Sequence, residues 1–93
     1  MIKSFKSKET EKIFNRTYSK KLPISIQTVA FRKLRMLNRA VTLNDLRVPP
    51  ANHLEKLRED RLGQHSIRIN KQWRICFVWE KGDVLNVEIV DYH

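Results

Sequence analysis

The sequence predicts an α+β domain in which two N-terminal helices pack on one face of a small antiparallel sheet. Two observations carry that expectation. As far as about residue 41, apolar residues recur at steps of three and four, the period of a helix with one buried face. From Gln64 the period changes to two, the period of strands that send alternate side chains into a core. Ninety-three residues hold one such core, so residues 1–93 are read as a single domain.

Each element has a local signature. Ile2 to Phe5 alternates with Lys3 and Ser4 and reads as a short first strand. Ser7 is placed to cap a helix running to about Tyr18, with Ile13, Phe14 and Tyr18 on one side. Pro23 precedes a longer helix with Ser25 as its N-cap. Ile26, Ala30, Leu34, Leu37 and Val41 form its buried stripe, and Arg32, Lys33, Arg35 and Arg39 occupy its other faces. Thr42-Leu43-Asn44-Asp45 has capping-box spacing, with Asp for the usual Glu, and opens one short turn. Pro49-Pro50 stops any helix, and residues 51–63 are polar and charged, a loop with some extended structure. Three alternating strands follow at residues 66–70, 73–79 and 85–89, with turn material at Asn70-Lys71-Gln72 and Lys81-Gly82-Asp83.

The alternation also assigns faces. Trp73, Ile75, Phe77 and Trp79 share the side toward the helices, which makes both tryptophans core residues rather than base-stacking platforms. Arg74, Cys76 and Val78 take the other side. In the last strand Leu85, Val87 and Ile89 face the core, and Asn86, Glu88 and, by continuation, Tyr92 point with Arg74. An exposed sheet face carrying arginine, polar groups and the C-terminal tail is a place for a nucleic acid strand to lie.

Charge narrows the partner. The chain has 19 basic and 10 acidic residues, a net charge of +9. A surplus of that size on a small body attracts polyanions, and nucleic acid is the commonest; a charge that serves solubility alone is the plainer alternative. The whole surplus lies in residues 1–63, because residues 64–93 are neutral in sum. Cys76 has no cysteine to pair with and sits between Ile75 and Phe77, like a small buried hydrophobe. The start Met-Ile-Lys-Ser-Phe-Lys lacks the apolar run of a signal peptide, and no stretch is of membrane length. The expected place is the cytoplasm, with no membrane partner.

Metal and nucleotide chemistry find little support. His53, His65 and His93 are widely spaced, no His or Cys pair has ligand spacing, and no glycine-rich loop or nucleophile elbow is present. Neither metal nor cofactor is expected. RNA cleavage needs less, because RNA brings its own nucleophile, the 2′-hydroxyl. The protein must hold the phosphate, stabilise its extra charge and assist two proton transfers. Glu55, Arg58, Arg61, Arg68, Arg74, Asp91, Tyr92 and His93 offer those groups on the loop, the sheet and the terminal tail. Composition alone does not single them out, since any basic domain sets arginines beside carboxylates.

A longer pattern does. Leu54-Glu55-x-Leu57-x-x-x-Arg61-x-Gly63-Gln64-His65-Ser66-Ile67-Arg68 is followed by Gln72-Trp73-Arg74-Ile75-Cys76-Phe77 and by the closing Asn86-Val87-Glu88-Ile89-Val90-Asp91-Tyr92-His93. Together with the opening Met-Ile-Lys-Ser-Phe, these resemble the HigB (plasmid maintenance killer) branch of the RelE toxin superfamily over nearly the whole chain. The resemblance implies a RelE-like fold and a ribosome-dependent, metal-independent mRNA endonuclease, the toxin of a type II toxin-antitoxin pair. It also implies a helix-turn-helix antitoxin of the HigA kind, the decoding site of the small ribosomal subunit and mRNA as partners. In the family the arginine matched by Arg74 stabilises the scissile phosphate, the residues matched by Asp91, Tyr92 and His93 contribute to the active site, and a loop basic residue is matched by Arg58. Glu55 is a departure: some members have a histidine there, so the proton-transfer partner becomes a carboxylate, and which residue is base and which acid stays open.

The catalytic set is therefore expected to be Arg74, His93, Tyr92, Asp91, Arg58 and Glu55, with Arg61, Arg68, Lys71, Arg32 and Arg35 contacting RNA or ribosome. Glu55 has a plainer reading as a screened surface pair with Lys56 and Arg58. His65 is expected to be structural or RNA-facing. The basic side of the second helix serves ribosomal RNA, the antitoxin or only solvent. Two other functions fit the same fold: a non-catalytic basic module that blocks the ribosome, and a corepressor acting with its antitoxin on DNA.

Overall fold

A computed structural model describes residues 1–91, and they form the expected α+β arrangement. Helices α1 (Lys8–Phe14) and α2 (Ile24–Arg39) share one core with a four-stranded antiparallel sheet. Its strands β1 (Glu55–Lys56), β2 (Gln64–Arg68), β3 (Trp73–Glu80) and β4 (Asp83–Asp91) stand in chain order.

The Ser7 side chain caps α1, accepting from the Thr10 backbone N–H at 3.3 Å. The helix is shorter than predicted. Arg16 takes a left-handed conformation (φ 63), which a continuing helix does not allow, and Tyr18 beyond it is 55% exposed rather than packed on the Ile13 side. Helix α2 begins directly after Pro23, which stands at the N-cap with ψ 131, so Ser25 lies inside the helix instead of capping it. Gln27 reaches back to tie the incoming loop, donating to the Ser19 and Leu22 carbonyls at 2.8 and 2.9 Å.

Ile26, Ala30, Leu34 and Leu37 are buried as the stripe requires. Val41 is not; the chain leaves the helix at Ala40 and Val41 is 76% exposed. Lys33, read as part of a basic outer face, is buried. Its ammonium donates to the Asn52 side-chain oxygen, and the Asn52 amide donates in turn to the Leu46 carbonyl at 3.1 Å. The capping box exists, with the Asp45 carboxylate accepting from the Val41 and Thr42 N–H groups at 2.9 Å each. It opens a 3₁₀ turn, Leu43–Arg47, that buries Leu46.

Two corrections concern the sheet. Strand β4 carries one residue more than β3 between the pairs Cys76–Glu88 and Val78–Leu85. Asn86 absorbs that bulge at φ 54, a conformation asparagine tolerates better than most residues. The bulge puts Val84 and Val87 together in the core and leaves Leu85 across from Val78 on the opposite side, where an unbroken alternation had placed it inside. The predicted first strand is two parallel bridges, Ile2 to Val84 and Phe5 to Val87, along the outer edge of β4. That edge is fully engaged over residues 84–89. Met1 O accepts from Val84 N, the Ser4 hydroxyl from Asn86 N, Ser4 O from Val87 N, and the Thr10 hydroxyl from Ile89 N, all at 2.9–3.1 Å.

Trp73 and Trp79 are half-buried against the core, on its side of the sheet as expected. The other side is not the open face predicted. Residues 53–63 fold over it, so Ser66, Arg74 and Cys76 are all buried. Leu57 is buried there as well, outside the main core.

Candidate active site

The sheet register sets the site. Glu55, Ser66, Cys76 and Glu88 are partners across β1, β2, β3 and β4, and Arg68 and Arg74 are partners in the neighbouring row. Partners across an antiparallel ladder point to the same side, so these six residues share the helix-free face.

Arg74 is the centre of that face. Its Nε–H donates to the Ser66 hydroxyl at 2.7 Å, and Nη2 donates to the His53 carbonyl at 2.5 Å and to the Ser66 carbonyl at 3.4 Å. Its Nη1 end lies 3.7 Å from the Glu55 carboxylate. The Arg74 side chain is 9% exposed and that of Glu55 53%, so the pair runs from the interior to the surface. A guanidinium taken out of water is tolerable only when its donors are met, and here backbone, hydroxyl and carboxylate meet them. The His53 carbonyl is available because His53 sits in the left-handed region (φ 44) after the Pro50–Asn52 turn.

A second pair crosses the face. Arg61 Nη1 donates to Glu88 Oε1 at 3.2 Å and Gln64 Oε1 at 3.3 Å, which carries the guanidinium from the loop over β3 to β4. Cys76 lies beneath. Burial first, and Glu88 after it, push the Cys76 thiol pKa up against the pull of Arg61, Arg74 and Lys6, so it stays protonated near neutral pH and is no nucleophile. Among the described residues no group of three or more His, Cys, Asp and Glu is placed to hold a metal ion.

A buried arginine held against a half-exposed carboxylate, on a strongly basic chain, suits an anionic substrate. The family model for HigB-like toxins, described as the RelE-like toxin of the type II toxin-antitoxin system HigB, matches residues 3–93. The chain belongs to the HigB-like toxin family. It is similar to Toxin HigB-1 of Vibrio cholerae serotype O1, with 41% identity over 87 residues that cover 92% of each chain. It is also similar to Endoribonuclease HigB of Proteus vulgaris, with 30% identity over 93 residues and all of both chains. Its fold matches that of a chain in the YoeB-YefM toxin-antitoxin complex from Staphylococcus aureus, at a TM-score of 0.64 and 19% identity over all of this chain and 95% of that one.

In this HigB-like toxin the remaining predicted residues divide by place. Arg68 stands directly across from Arg74 and donates from Nε to the Asn70 carbonyl at 3.0 Å. Arg58 is exposed and its carbonyl opens the 3₁₀ turn Glu59–Arg61. Lys71 is exposed in the turn between β2 and β3. Asp91 pairs across from Trp73, hence on the helix side of the sheet, and accepts from Gln72 Nε2 at 3.0 Å. Arg32 and Arg35 are exposed on α2, which covers the face opposite Arg74, and Arg35 lies over the Phe31 ring with Arg16. Tyr92 and His93 lie outside the described residues. No described helix is long and apolar enough to cross a membrane.

His65 belongs to the core side. It stacks on Phe77 with centroids 6.1 Å apart, and burial, then Lys56 and Arg47, lower its pKa, so it is a neutral structural imidazole. Sequence reasoning put Glu88 on the Arg74 face without counting it among the site residues, and it missed Ser66 and the His53 carbonyl. Ser66 and Glu88 had one usable signal, polar residues on the same parity as Arg74. The left-handed turn at His53 had none.

Proposed function

We propose that this HigB-like toxin is a metal-independent endoribonuclease that cuts mRNA on the ribosome, with Arg74 as the group that meets the scissile phosphate. The observation that carries the reading is the fixed guanidinium of Arg74, buried at one edge and paired at its Nη1 end with a carboxylate near solvent. The 2′-hydroxyl attacks the adjacent phosphorus, the P–O5′ bond breaks, and the products are a 2′,3′-cyclic phosphate and a 5′-hydroxyl. Arg74, with Arg58, stabilises the charge that builds on the phosphoryl oxygens. Glu55 is the carboxylate at hand to take the 2′-hydroxyl proton once the phosphate displaces it from Arg74. His93 or Tyr92 returns a proton to the leaving oxygen, and Asp91, across from Trp73 on the helix side of the sheet, takes no part at the phosphate.

The endoribonuclease name of the Proteus vulgaris relative supports this reading, and the Staphylococcus aureus complex supports an antitoxin partner. We take that partner to be a HigA-type helix-turn-helix protein. Arg61, Arg68, Lys71, Arg32 and Arg35 supply contacts to RNA or ribosome, and the toxin acts in the cytoplasm. The test incubates purified protein with a defined mRNA, with and without programmed ribosomes, and maps the new ends. Codon-positioned cuts that need ribosomes and end in cyclic phosphate are expected; stalled translation with intact RNA refutes the enzyme and leaves a blocking module.

A further inference from the structure

Ser66 occupies a place in the sheet where an apolar residue is the ordinary choice. It is fully buried in β2, between Glu55 and Cys76 in register. Both of its oxygens are turned to one group. The hydroxyl accepts from Arg74 Nε at 2.7 Å and the carbonyl from Nη2 at 3.4 Å. The carbonyl of left-handed His53 accepts from Nη2 as well, at 2.5 Å. These three acceptors hold the Nε/Nη2 edge and so set the plane of the guanidinium, while the Nη1 end is the one that carries Glu55.

We propose that Ser66, together with the His53 carbonyl, is a positioning element for RNA cleavage, fixing Arg74 by its inner edge so that its Nη1 end presents to the phosphate. The proposal rests on the reading of Arg74 as the phosphate-binding group. Ser66 touches no substrate; it acts through Arg74. A guanidinium oriented in advance needs no reorganisation as charge develops on the phosphoryl oxygens, and one released from its inner edge samples several directions. The loss on removing Ser66 therefore falls on the chemical step more than on substrate binding.

The experiment measures cleavage of a defined mRNA on programmed ribosomes under single-turnover conditions, at a temperature where every variant is folded by circular dichroism. Ser66→Ala is expected to lower the cleavage rate about tenfold with the half-saturating concentration nearly unchanged, and Ser66→Thr, which keeps the oxygen, to restore most of it. Ser66→Ala in an Arg74→Ala background is expected to add nothing. The Arg74 Nε–H resonance is expected to exchange slowly in the wild-type protein and fast in Ser66→Ala. A wild-type rate for folded Ser66→Ala, an additive loss in the double variant, or an unchanged Nε–H signal overturns the positioning role while Arg74 keeps its own. A wild-type protein that makes no cuts, or Arg74→Ala at the wild-type rate, overturns the underlying reading of Arg74 instead.

Discussion

Replacing Asn52 with alanine tests how the segment that carries His53 is held in place. Asn52 is fully buried, accepts from the Lys33 ammonium and donates to the Leu46 carbonyl at 3.1 Å. The substitution leaves a buried ammonium without its acceptor and a buried carbonyl without its donor. Leaving a buried polar group without its hydrogen-bond partner costs about 1–3 kcal/mol, and more when the group is charged. Burial already lowers the Lys33 pKa, so the lysine can shed part of that cost by losing its proton. A net loss of about 2–4 kcal/mol follows, which for a chain of this size lowers Tm by roughly 10–25 °C. Urea unfolding followed by fluorescence of half-buried Trp73 and Trp79 reads it directly. The double variant Lys33→Met, Asn52→Leu removes charge and acceptor together and is expected to recover most of the stability. A single variant within about 0.5 kcal/mol of wild type, or a double variant no better than the single one, refutes the reasoning.

Four further outcomes are expected. Arg74→Ala lowers single-turnover cleavage about 100- to 1,000-fold, and Arg74→Lys does not restore it, because an ammonium cannot hold Ser66, His53 and a phosphate in one plane. Glu55→Gln keeps the shape and removes the charge; a fall of about 100-fold in rate marks Glu55 as the proton acceptor, and an unchanged rate moves that role to the C-terminal residues. The lowered His65 pKa means the unfolded chain takes up that proton first, so stability is full above the ordinary value of 6.5 and declines as the pH falls below it toward the folded value. Thermal melts across that window show the decline, and His65→Gln flattens it. The Cys76 thiol, buried and with a raised pKa, resists an aromatic disulfide reagent in the native protein and reacts only on unfolding; rapid native labelling contradicts the burial.

The period of the apolar residues made most of the fold legible. Ile75 and Phe77 alternate with Arg74 and Cys76 in a strand without defects, and Ile26, Ala30, Leu34 and Leu37 keep helical spacing, so the strand and the buried stripe of the helix read correctly though the helix ends did not. What failed depends on contacts distant in the chain. Lys33 looks like any surface lysine until Asn52, nineteen residues on, supplies an acceptor. Leu85, Val87 and Ile89 read as one unbroken face because nothing in that pattern announces a bulge, although asparagine at 86 is a residue suited to one. The site was legible through its motif rather than its periodicity. The motif brought out Arg74, and Glu55 only as a departure from the family pattern; it said nothing of their pairing or of the depth at which Arg74 lies.

The engaged edge of β4 has a consequence for association. A sheet that ends in a long bare strand invites a strand from another chain to add to it, whether as a partner or as the start of an aggregate. Over residues 84–89 the outward amides of β4 are already taken by Met1, Ser4 and Thr10. At the other end of the sheet β1 is two residues long and both are charged, Glu55 and Lys56. Along these described stretches neither border offers a long bare strand to a guest, which leaves association there to side chains, where charge and shape select the partner.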